Sequence, residues 1–336
     1  MRSHYAGPKD RGLWFRRAAL VACLAGVIST AARTEPSFPA KPIHIFIPYG
    51  AGGVGDLTVR LLAQKLTERT KQQVVIENRP GAGGLLSAKG VLDAPPNGYT
   101  LGLFGNGQAI SMSLFKSRPY NVLTDFSFVS ITARFEMLLA VKADSPLKTL
   151  PDVVAAARKS PGRLNFGAVN PGSTQNLSAH LLKQVGELDV TIVPFKTTPD
   201  LITAILRGDV DVGFDFYAGF QSVIVDNKVR IVATSGEQRN PLLPDVPTAK
   251  EMGLDYEMSI WAGIFAPKGT PKDIVDKLAR ALDQALDDPG VKKRLADLGG
   301  SLPTKDERTP AKFDAFVKAE IARWSPILKA ANTEAK

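Results

Sequence analysis

Three glycines at a fixed spacing are the first candidates for binding chemistry. Gly50, Gly52 and Gly55 form a G-x-G-x-x-G pattern between an apolar run and a helical pattern. Glu77 ends the next apolar run, 22 positions after Gly55. Such glycines let a backbone approach a bound group closely, and the N-terminus of the following helix attracts negative charge. With the distal acid, the pattern matches the fingerprint of dinucleotide-binding proteins.

The surroundings of the glycines argue against a nucleotide. Pro48 and Tyr49 separate the strand from Gly50, whereas the nucleotide version usually runs straight from the strand to its first glycine. Asp56, a predicted helix N-cap, would place an acid beside a pyrophosphate. No Lys-Ser or Lys-Thr pair follows the glycines, so a Walker A loop is excluded. An exported nicotinamide-dependent oxidoreductase stays open as an alternative.

The elements that must position this turn follow an α/β pattern. Short apolar runs alternate with helical periodicity, which predicts an α/β fold with mostly parallel sheets flanked by helices. Ten runs are predicted strands: Ile43–Ile47, Val74–Glu77, Thr100–Phe104, Phe128–Ala133, Leu138–Val141, Leu164–Ala168, Val190–Val193, Val210–Phe214, Val229–Thr234 and Trp261–Ala266. Two capping boxes are predicted, one from Thr149 to Asp152 and one from Thr270 to Asp273.

The chain carries a coarse internal repeat. The stretch "IHIFIPYGAGGVGD" and the segment Arg163–Leu182 both read as a strand, a small-residue turn and a helix start. Ligands in such sheets sit at the carboxyl ends of the strands, where helix N-termini present free N–H groups. Two facing lobes of this kind predict an anion clamp that needs no lysine or arginine.

The first 32 residues predict a secretory signal peptide. They hold five basic residues and one acidic residue, then the apolar segment Ala18–Ile28 and the small residues "STAA". Whether export follows the general or the twin-arginine route stays open. Removal of residues 1–32 lowers the net charge from +9 to +5. This mild, scattered charge does not favour nucleic acid, but it favours small anions.

The usual catalytic residues are scarce. The single cysteine, Cys23, lies in the predicted signal, and only His44 and His180 remain as histidines beyond it. The sequence has no HExxH and no G-x-S-x-G pattern. The expectation is therefore a protein without enzymatic activity, metal or cofactor, although carboxylates could still act in catalysis.

Six longer strings carry a family resemblance. They run in this order along the chain: "FPAKPIHIFIPYGAGGVGD", "VVIENRPGAGGLLSA", "DAPPNGYTLGL", "VPFK", "LLPDVPTAKEMGL" and "WAGIFAPKGTP". Together they resemble the substrate-binding proteins of tripartite tricarboxylate transporters, the Bug family, over about residues 38–326. The strings "ENRPGAGG" and "LPDVPT" are the most specific.

The resemblance implies a fold and a role. The fold is a two-lobed periplasmic binding protein of the Venus-flytrap, type II-like kind, with lobe 1 at 37–140 plus 255–336 and lobe 2 at 141–254. The implied protein is a periplasmic monomer that captures a small organic anion, often a carboxylate, in the cleft. It hands this ligand to the membrane permease subunits of a tripartite tricarboxylate transporter. A periplasmic sensor with the same fold is the other alternative.

The expected ligand-binding residues follow strands in both lobes. They are Tyr49, Gly50, Ala51, Gly52, Gly53 and Asp56 in the first turn, Asn106 and Gln108 after the third strand, Asn170, Gly172, Ser173, Thr174 and Asn176 in the second lobe, and Asp215. By the resemblance, Asp215 receives an amino or hydroxyl group of the ligand. The family commonly has a histidine where this chain has Asn176 and an acid where it has His180, which leaves the identity of the ligand open.

Overall fold

Two β-sheets, joined where the chain crosses between them, organise the protein. The computed structural model describes residues 1, 3, 4, 38–80, 84–109, 120–169 and 173–334. The strands are β1 Ile43–Ile47, β2 Val74–Asn78, β3 Thr100–Gly105, β4 Phe126–Glu136, β5 Leu138–Lys142, β6 Asn165–Val169, β7 Thr191–Phe195, β8 Val212–Asp215, β9 Val229–Thr234, β10 Ser259–Pro267 and β11 Gly300–Ser301.

Helices cover the faces of these sheets. Those described are α1 Val54–Thr70, α2 Leu85–Leu92, α3 Leu150–Lys159, α4 Thr174–Val185, α5 Thr198–Arg207, α6 Tyr217–Val225, α7 Lys272–Leu286, α8 Pro289–Asp297 and α9 Pro310–Glu334. All ten predicted strands are present, with small shifts at their ends. The two-residue strand β11 was not predicted, because it is too short to leave an apolar pattern.

Each sheet is mixed, which corrects the expectation of mostly parallel sheets. The first sheet has the order β11-β4-β10-β3-β1-β2 and the second has the order β7-β6-β8-β5-β9. The strands β1, β2 and β3 pair in parallel, as do β6, β7 and β8. The pairs of β10 with β3 and β4, and of β5 with β8 and β9, are antiparallel. Each of these antiparallel pairs includes β10 or β5, the strands by which the chain enters a sheet from the other one.

The internal repeat predicted from the sequence is confirmed. Each sheet contains a βαβαβ unit in which the first strand lies between the second and the third, as β2-β1-β3 and as β7-β6-β8. From the central first strand the chain moves to the second strand on one side, and it then crosses back to form the third strand on the other side. The gap between β1 and β3, and the gap between β6 and β8, is therefore the switch point at which α/β sheets bind ligands.

The chain crosses between the sheets twice. Met137 is the one residue between β4 and β5, and the segment 235–258 joins β9 to β10. Met137, Ser235 and Met258 are all buried. The two crossings lie side by side, because the Ser235 N–H donates to the Met137 carbonyl at 2.9 Å; the Met258 N–H in turn donates to the Ser235 carbonyl at 3.0 Å.

An aromatic core supports the first sheet. Phe104, Phe126, Phe265 and Phe313 are buried, and the ring centroids of Phe104 lie 5.0 Å from those of both Phe126 and Phe265. Phe313 and Val317 of α9 belong to this buried cluster. This packing fixes β3 and β10, whose ends form one side of the site described below.

The two predicted capping boxes had different outcomes. Thr149 and Asp152 form a complete capping box at α3. The prediction of a capping box at Thr270 was wrong. The N-cap of α7 is Pro271, which makes no side-chain hydrogen bond, and the Thr270 hydroxyl donates to the carbonyl of Pro267 at 2.8 Å.

The predicted limits of the lobes remain a prediction. Strands of the first sheet fall within 37–140 and 255–336, and strands of the second fall within 141–254, except that β5 begins at Leu138. The predicted signal peptide, residues 1–32, lies outside the described residues apart from Met1, Ser3 and His4. Among the helices that the structure describes, none has the length and apolar character of a membrane span.

Candidate functional site

The turn after β1 forms the first part of the site. Residues Tyr49 through Gly53 are exposed, and Gly53 is the N-cap of α1. Gly52 has a φ of +83°, which glycine adopts without the strain that a side chain would bring. A Cβ built on Gly50 or Gly52 would meet nothing within 4 Å. The turn therefore presents backbone to open space at a helix N-terminus, where a negative charge is stabilised.

Asp56 holds this turn in place. Its buried carboxylate accepts the Gly52 N–H at 2.9 Å, the Arg60 Nε at 2.9 Å and the Asn78 Nδ2 at 2.9 Å. Asn78 also donates to the Tyr49 carbonyl at 3.0 Å. The prediction of an N-cap at Asp56 was wrong, because Asp56 lies inside the first turn of α1, after the cap at Gly53.

Arg60 neutralises the acid that would otherwise repel an anion. Burial alone would raise the pKa of Asp56, but the hydrogen bonds from Arg60, Gly52 and Asn78 outweigh it and hold the pKa below its ordinary value. The carboxylate is therefore ionised and paired. Both carboxylate oxygens accept hydrogen bonds within the protein, so a ligand would contact the turn that Asp56 holds in place and not the carboxylate itself.

Tyr49 lies between this turn and the end of β3. A Cβ built on Gly105 would lie 3.2 Å from the Tyr49 hydroxyl and 2.4 Å from the Trp261 carbonyl oxygen, and the second distance excludes a side chain there. Tyr49 keeps 36% of its surface exposed, but its ring lies against Gly55, where a Cβ would be 2.7 Å from a ring carbon, and its hydroxyl lies against Gly105. Burial of the hydroxyl raises the pKa of Tyr49 to about 12, so the hydroxyl stays a neutral donor at physiological pH.

Asn106 and Gln108 lie beyond the end of β3, in residues that are helical from 106 to 109. Both side chains are buried and bonded to backbone: the Trp261 N–H donates to Asn106 Oδ1 at 2.7 Å, and the Gly105 N–H donates to Gln108 Oε1 at 2.8 Å. These two residues shape the second turn of the first sheet. Contact of either side chain with a ligand remains a prediction.

The second sheet provides the matching turn after β6. Asn170 and Gly172 lie outside the described residues. Ser173 is the N-cap of α4; its hydroxyl accepts the Asn176 N–H at 3.1 Å and donates to the Val169 carbonyl. That hydroxyl is thus engaged within the protein. Thr174 is half-buried at the start of α4, and the Asn176 side chain is buried.

Asp215 ends β8 at the switch point of the second sheet. It is 2% exposed, and its carboxylate accepts the Phe216 N–H at 2.7 Å, the Gln175 Nε2 at 3.2 Å and the Thr198 hydroxyl. Thr198 begins α5, Gln175 lies in the first turn of α4, and Phe216 is the N-cap of α6. Three helix N-termini therefore converge on one carboxylate.

The two carboxylates of the site differ in their partners. Asp56 pairs with a guanidinium, whereas the described donors to Asp215 are a hydroxyl, an amide and a backbone N–H, all neutral. Burial raises the pKa of the Asp215 carboxyl, and the three hydrogen bonds oppose that shift without reversing it. One switch point can thus receive an anion, and the other offers a strong acceptor to a donor group.

The two sheets touch close to these turns. The rings of Phe135, in β4, and Phe216, after β8, have centroids 6.1 Å apart. Gly299 approaches Tyr217 so closely that a Cβ on Gly299 would lie 2.4 Å from the Tyr217 Cβ. The described residues thus bring the end of β8 against the first sheet beside the crossing at Met137.

Sequence reasoning missed several members of the site. Arg60 could have been found, since it lies four residues after Asp56 on a helix, the spacing at which ion pairs form. Gln175, Thr198 and Asn78 left no such signal, because they reach the site through the topology of the sheets. The distal acid of the glycine fingerprint, Glu77, contacts His44 at 2.7 Å and Arg79 at 2.9 Å and so has partners of its own.

Within the described part of the chain, no group of three or more His, Cys, Asp or Glu side chains could hold a metal ion. The groups that could contact a ligand are backbone N–H groups, hydroxyls and one desolvated carboxylate. This set suits a small organic molecule with a negative end and a donor-bearing part.

Two mixed sheets that each hold a βαβαβ unit, with two adjacent crossings between them, are the architecture of a two-lobed solute-binding protein. The family described as "Tripartite tricarboxylate transporter family receptor" matches residues 58–333. The chain belongs to this family, as the sequence strings predicted.

Solved structures support the same assignment. MatC (Rpa3494) from Rhodopseudomonas palustris with bound malate is 33% identical, with a TM-score of 0.76, over 87% of this chain and 100% of that chain. Rpa4515 of R. palustris with adipate is 30% identical, with a TM-score of 0.77, over 88% and 98% of the two chains. The periplasmic binding protein BugD is 30% identical, with a TM-score of 0.76, over 88% and 99%.

Proposed function

We propose that this protein is a periplasmic receptor that captures a small carboxylate between its two sheets and delivers it to the permease of a tripartite tricarboxylate transporter. Membership of the receptor family supports the transport role. The malate bound to MatC and the adipate bound to Rpa4515 support a carboxylate as the ligand. Export by the N-terminal segment 1–32, action as a monomer, and independence of cofactor, metal and nucleic acid are parts of the same proposal.

The turn at Gly50 and Gly52 carries the proposal. It offers unobstructed backbone at the N-terminus of α1, and the one acid beneath it is neutralised by Arg60. A ligand carboxylate placed there gains N–H donors and the positive end of the helix dipole without meeting an unpaired negative charge. The α4 N-terminus at Ser173 and Thr174 faces the same kind of ligand from the second sheet.

Asp215 sets the second requirement on the ligand. A desolvated carboxylate without a cationic partner repels a second carboxylate, but it accepts strongly from a hydroxyl or ammonium group. The favoured ligand therefore carries a carboxylate at one end and a hydrogen-bond donor further along. Malate and succinate differ by one hydroxyl and so separate this requirement from simple anion binding.

Thermal unfolding with a panel of mono- and dicarboxylates tests the proposal. A ligand at 100 times its Kd should stabilise the protein by about 2.7 kcal/mol. Malate should bind at least about 10-fold more tightly than succinate, since a hydrogen bond to a charged group contributes about 1.5–3 kcal/mol. A folded protein whose melting is unmoved by every acid in the panel would refute carboxylate capture.

A variant at the first turn localises the ligand. Gly50→Val places a side chain in open space on a backbone with an ordinary φ, so the unliganded protein should melt like the wild type while the ligand affinity falls by an order of magnitude or more. Gly52→Val is a poorer probe, because its φ of +83° would strain the turn itself.

Two other functions have their own tests. A sensor on the same fold would leave uptake intact when the gene is deleted and would change transcription instead. An exported oxidoreductase would bind nicotinamide dinucleotides, so a titration with these cofactors that gives no signal excludes it.

A further inference from the structure

The C-terminal helix α9 carries a buried acid that faces the ligand-binding edge of the first sheet. Glu320 is 7% exposed. Its Oε2 accepts the indole N–H of Trp324 at 3.3 Å and the Asn106 Nδ2 at 3.4 Å. The indole N–H of Trp261 lies near the same carboxylate without completing a hydrogen bond. A buried acid usually has a cationic partner, and here the donors within hydrogen-bond distance of Oε2 are neutral, while the Arg323 guanidinium is 3.8 Å from Oε1.

Asn106 connects this acid to the site. The strand β3 pairs with β10 up to Gly105 and Ala262, and the chain then turns into helical residues at 106. The next N–H of β10, that of Trp261, donates to the side-chain oxygen of Asn106 at 2.7 Å. The Asn106 side chain therefore continues the hydrogen bonding between β3 and β10 through its Oδ1, and it contacts Glu320 through its Nδ2.

The position of Asn106 matters to the first turn as well. The Trp261 carbonyl would lie 2.4 Å from a Cβ on Gly105, and the Tyr49 hydroxyl would lie 3.2 Å from it. The turn after β1, the end of β3 and the start of β10 are thus in close contact. A shift of Asn106 would move all three, since packed backbones have no free space to absorb it.

The charged groups around Glu320 are two arginines. Arg323, on the same helix, has its Nη1 3.8 Å from Glu320 Oε1 and 3.9 Å from Glu257 Oε1. Arg134, in β4, donates to Glu307 at 2.7 Å. Burial raises the pKa of Glu320, and the two arginines and Trp324 oppose that rise.

We propose that Glu320 is a positioning residue for ligand binding. From α9 it holds the Asn106 side chain in place, and Asn106 in turn holds the turn after β3 and the N–H of Trp261 in the positions needed to bind the ligand. This role rests on the proposed function, because the arrangement affects a ligand only if the ligand lies at these turns. Glu320 itself lies behind the turn and acts through Asn106.

Hydrogen exchange of the Trp261 amide tests the positioning without any ligand. Glu320→Gln keeps the shape but replaces one acceptor oxygen by a donor, so the Trp261 N–H should exchange at least about 10-fold faster. Asn106→Ala should give the same result, and it serves as the second variant if Glu320→Gln folds poorly. Glu307→Gln, which removes an acid bonded to Arg134 and not to Asn106, is the matched control and should leave this amide protected.

Ligand affinity tests the functional part with a double-mutant cycle. With malate as the probe, Glu320→Gln and Asn106→Ala should each weaken binding about 10-fold, and the double variant should be no weaker than Asn106→Ala alone.

Three results would overturn the proposal: an unchanged Trp261 amide in both variants, an unchanged Kd in Glu320→Gln, or effects on Kd that add fully in the double variant. Absence of binding by the wild type to every carboxylate would instead reject the proposed function. The exchange measurement would then still decide whether Glu320 positions Asn106.

Discussion

Ser235 and Met137 join the two crossings between the sheets. The Met137 N–H donates to the Ser235 Oγ at 2.8 Å, and the Ser235 N–H donates to the Met137 carbonyl at 2.9 Å. The same hydroxyl donates to the Met258 carbonyl at 2.7 Å. One side chain thus satisfies backbone groups of both crossing segments.

Ser235→Ala should destabilise this junction. The substitution leaves the Met137 N–H and the Met258 carbonyl buried without this partner, and each unpaired buried group costs about 1–3 kcal/mol. The free energy of unfolding should fall by roughly 2–5 kcal/mol in urea titrations. Ser160→Ala, at an exposed helix end, should change it by less than about 0.5 kcal/mol. Equal effects of the two variants would show that the junction does not depend on the hydroxyl.

Gly299→Ala should weaken ligand binding by separating the sheets. A Cβ at this residue would overlap the Cβ of Tyr217, so the second sheet must move away from the first. The φ of Gly299 is +75°, which adds backbone strain, and Gly253→Ala is the control because its φ is +82° and its Cβ would meet nothing within 4 Å.

The comparison of these two alanine variants isolates the contact. Both should lose about 1 kcal/mol or more of stability to the left-handed backbone, and Gly299→Ala alone should raise the Kd for malate, by about 10-fold. Isothermal titration at one temperature measures both affinities. A Gly253→Ala variant that binds as weakly as Gly299→Ala would assign the loss to strain elsewhere.

The strands could be predicted because a buried strand appears in the sequence as a short apolar run. Ile43–Ile47 and Val229–Thr234 were predicted to the residue, since each run ends at turn-forming or charged residues. Strand direction could not be predicted, because an apolar run reports burial and not orientation. The antiparallel place of β10 between β3 and β4 depends on where the chain returns after residues 235–258, and no local pattern encodes that return.

The site was predictable in outline and not in its partners. The glycine turn and Asp215 follow strands directly, so sequence position and family resemblance could place them. Thr198 and Gln175 reach Asp215 from two other helices, 17 and 40 residues away in sequence. The hydrogen bonds of Asn106 to Trp261 and of Ser173 to Val169 could not be predicted for the same reason, because these backbone partners become neighbours only in the folded chain.

Asp56→Asn should destabilise the protein more than the loss of an ordinary helical ion pair. The carboxylate is buried and holds Gly52, Arg60 and Asn78, whereas the exposed pair of Lys272 and Asp276 has the same spacing and fewer partners. We expect a loss of roughly 1–3 kcal/mol for Asp56→Asn and less than about 0.5 kcal/mol for Asp276→Asn.

The effect of Asp56→Asn should also depend on pH. The folded pKa of Asp56 lies below its ordinary value of 3.8, so its stabilisation is present above that pH and is lost as the pH falls through the folded pKa. Urea unfolding at pH 7 and near pH 3 should therefore show a difference between wild type and variant that shrinks in acid. A difference that grows in acid would contradict the pairing with Arg60.

Asp215→Asn should have the opposite pH dependence and a lower affinity. The folded pKa of Asp215 is raised above 3.8, so the folded protein binds more protons and the wild type loses stability as the pH rises from about that value through the folded pKa. An asparagine removes this loss. Its oxygen can keep the Phe216 N–H, and the Thr198 hydroxyl can turn from donor to acceptor. The variant should thus be more stable than the wild type at pH 8 and similar below pH 4.

The same variant should lose its selectivity between malate and succinate. Without the charge, the acceptor for the malate hydroxyl weakens, while the anion-binding turn at Gly50 is untouched, so the two affinities should converge. Glu136 and Glu320, whose pKa values burial also raises, are present in both proteins and cancel in the comparison. A stability difference that is constant with pH would contradict the desolvated carboxylate, and full retention of the preference for malate would place its hydroxyl away from Asp215.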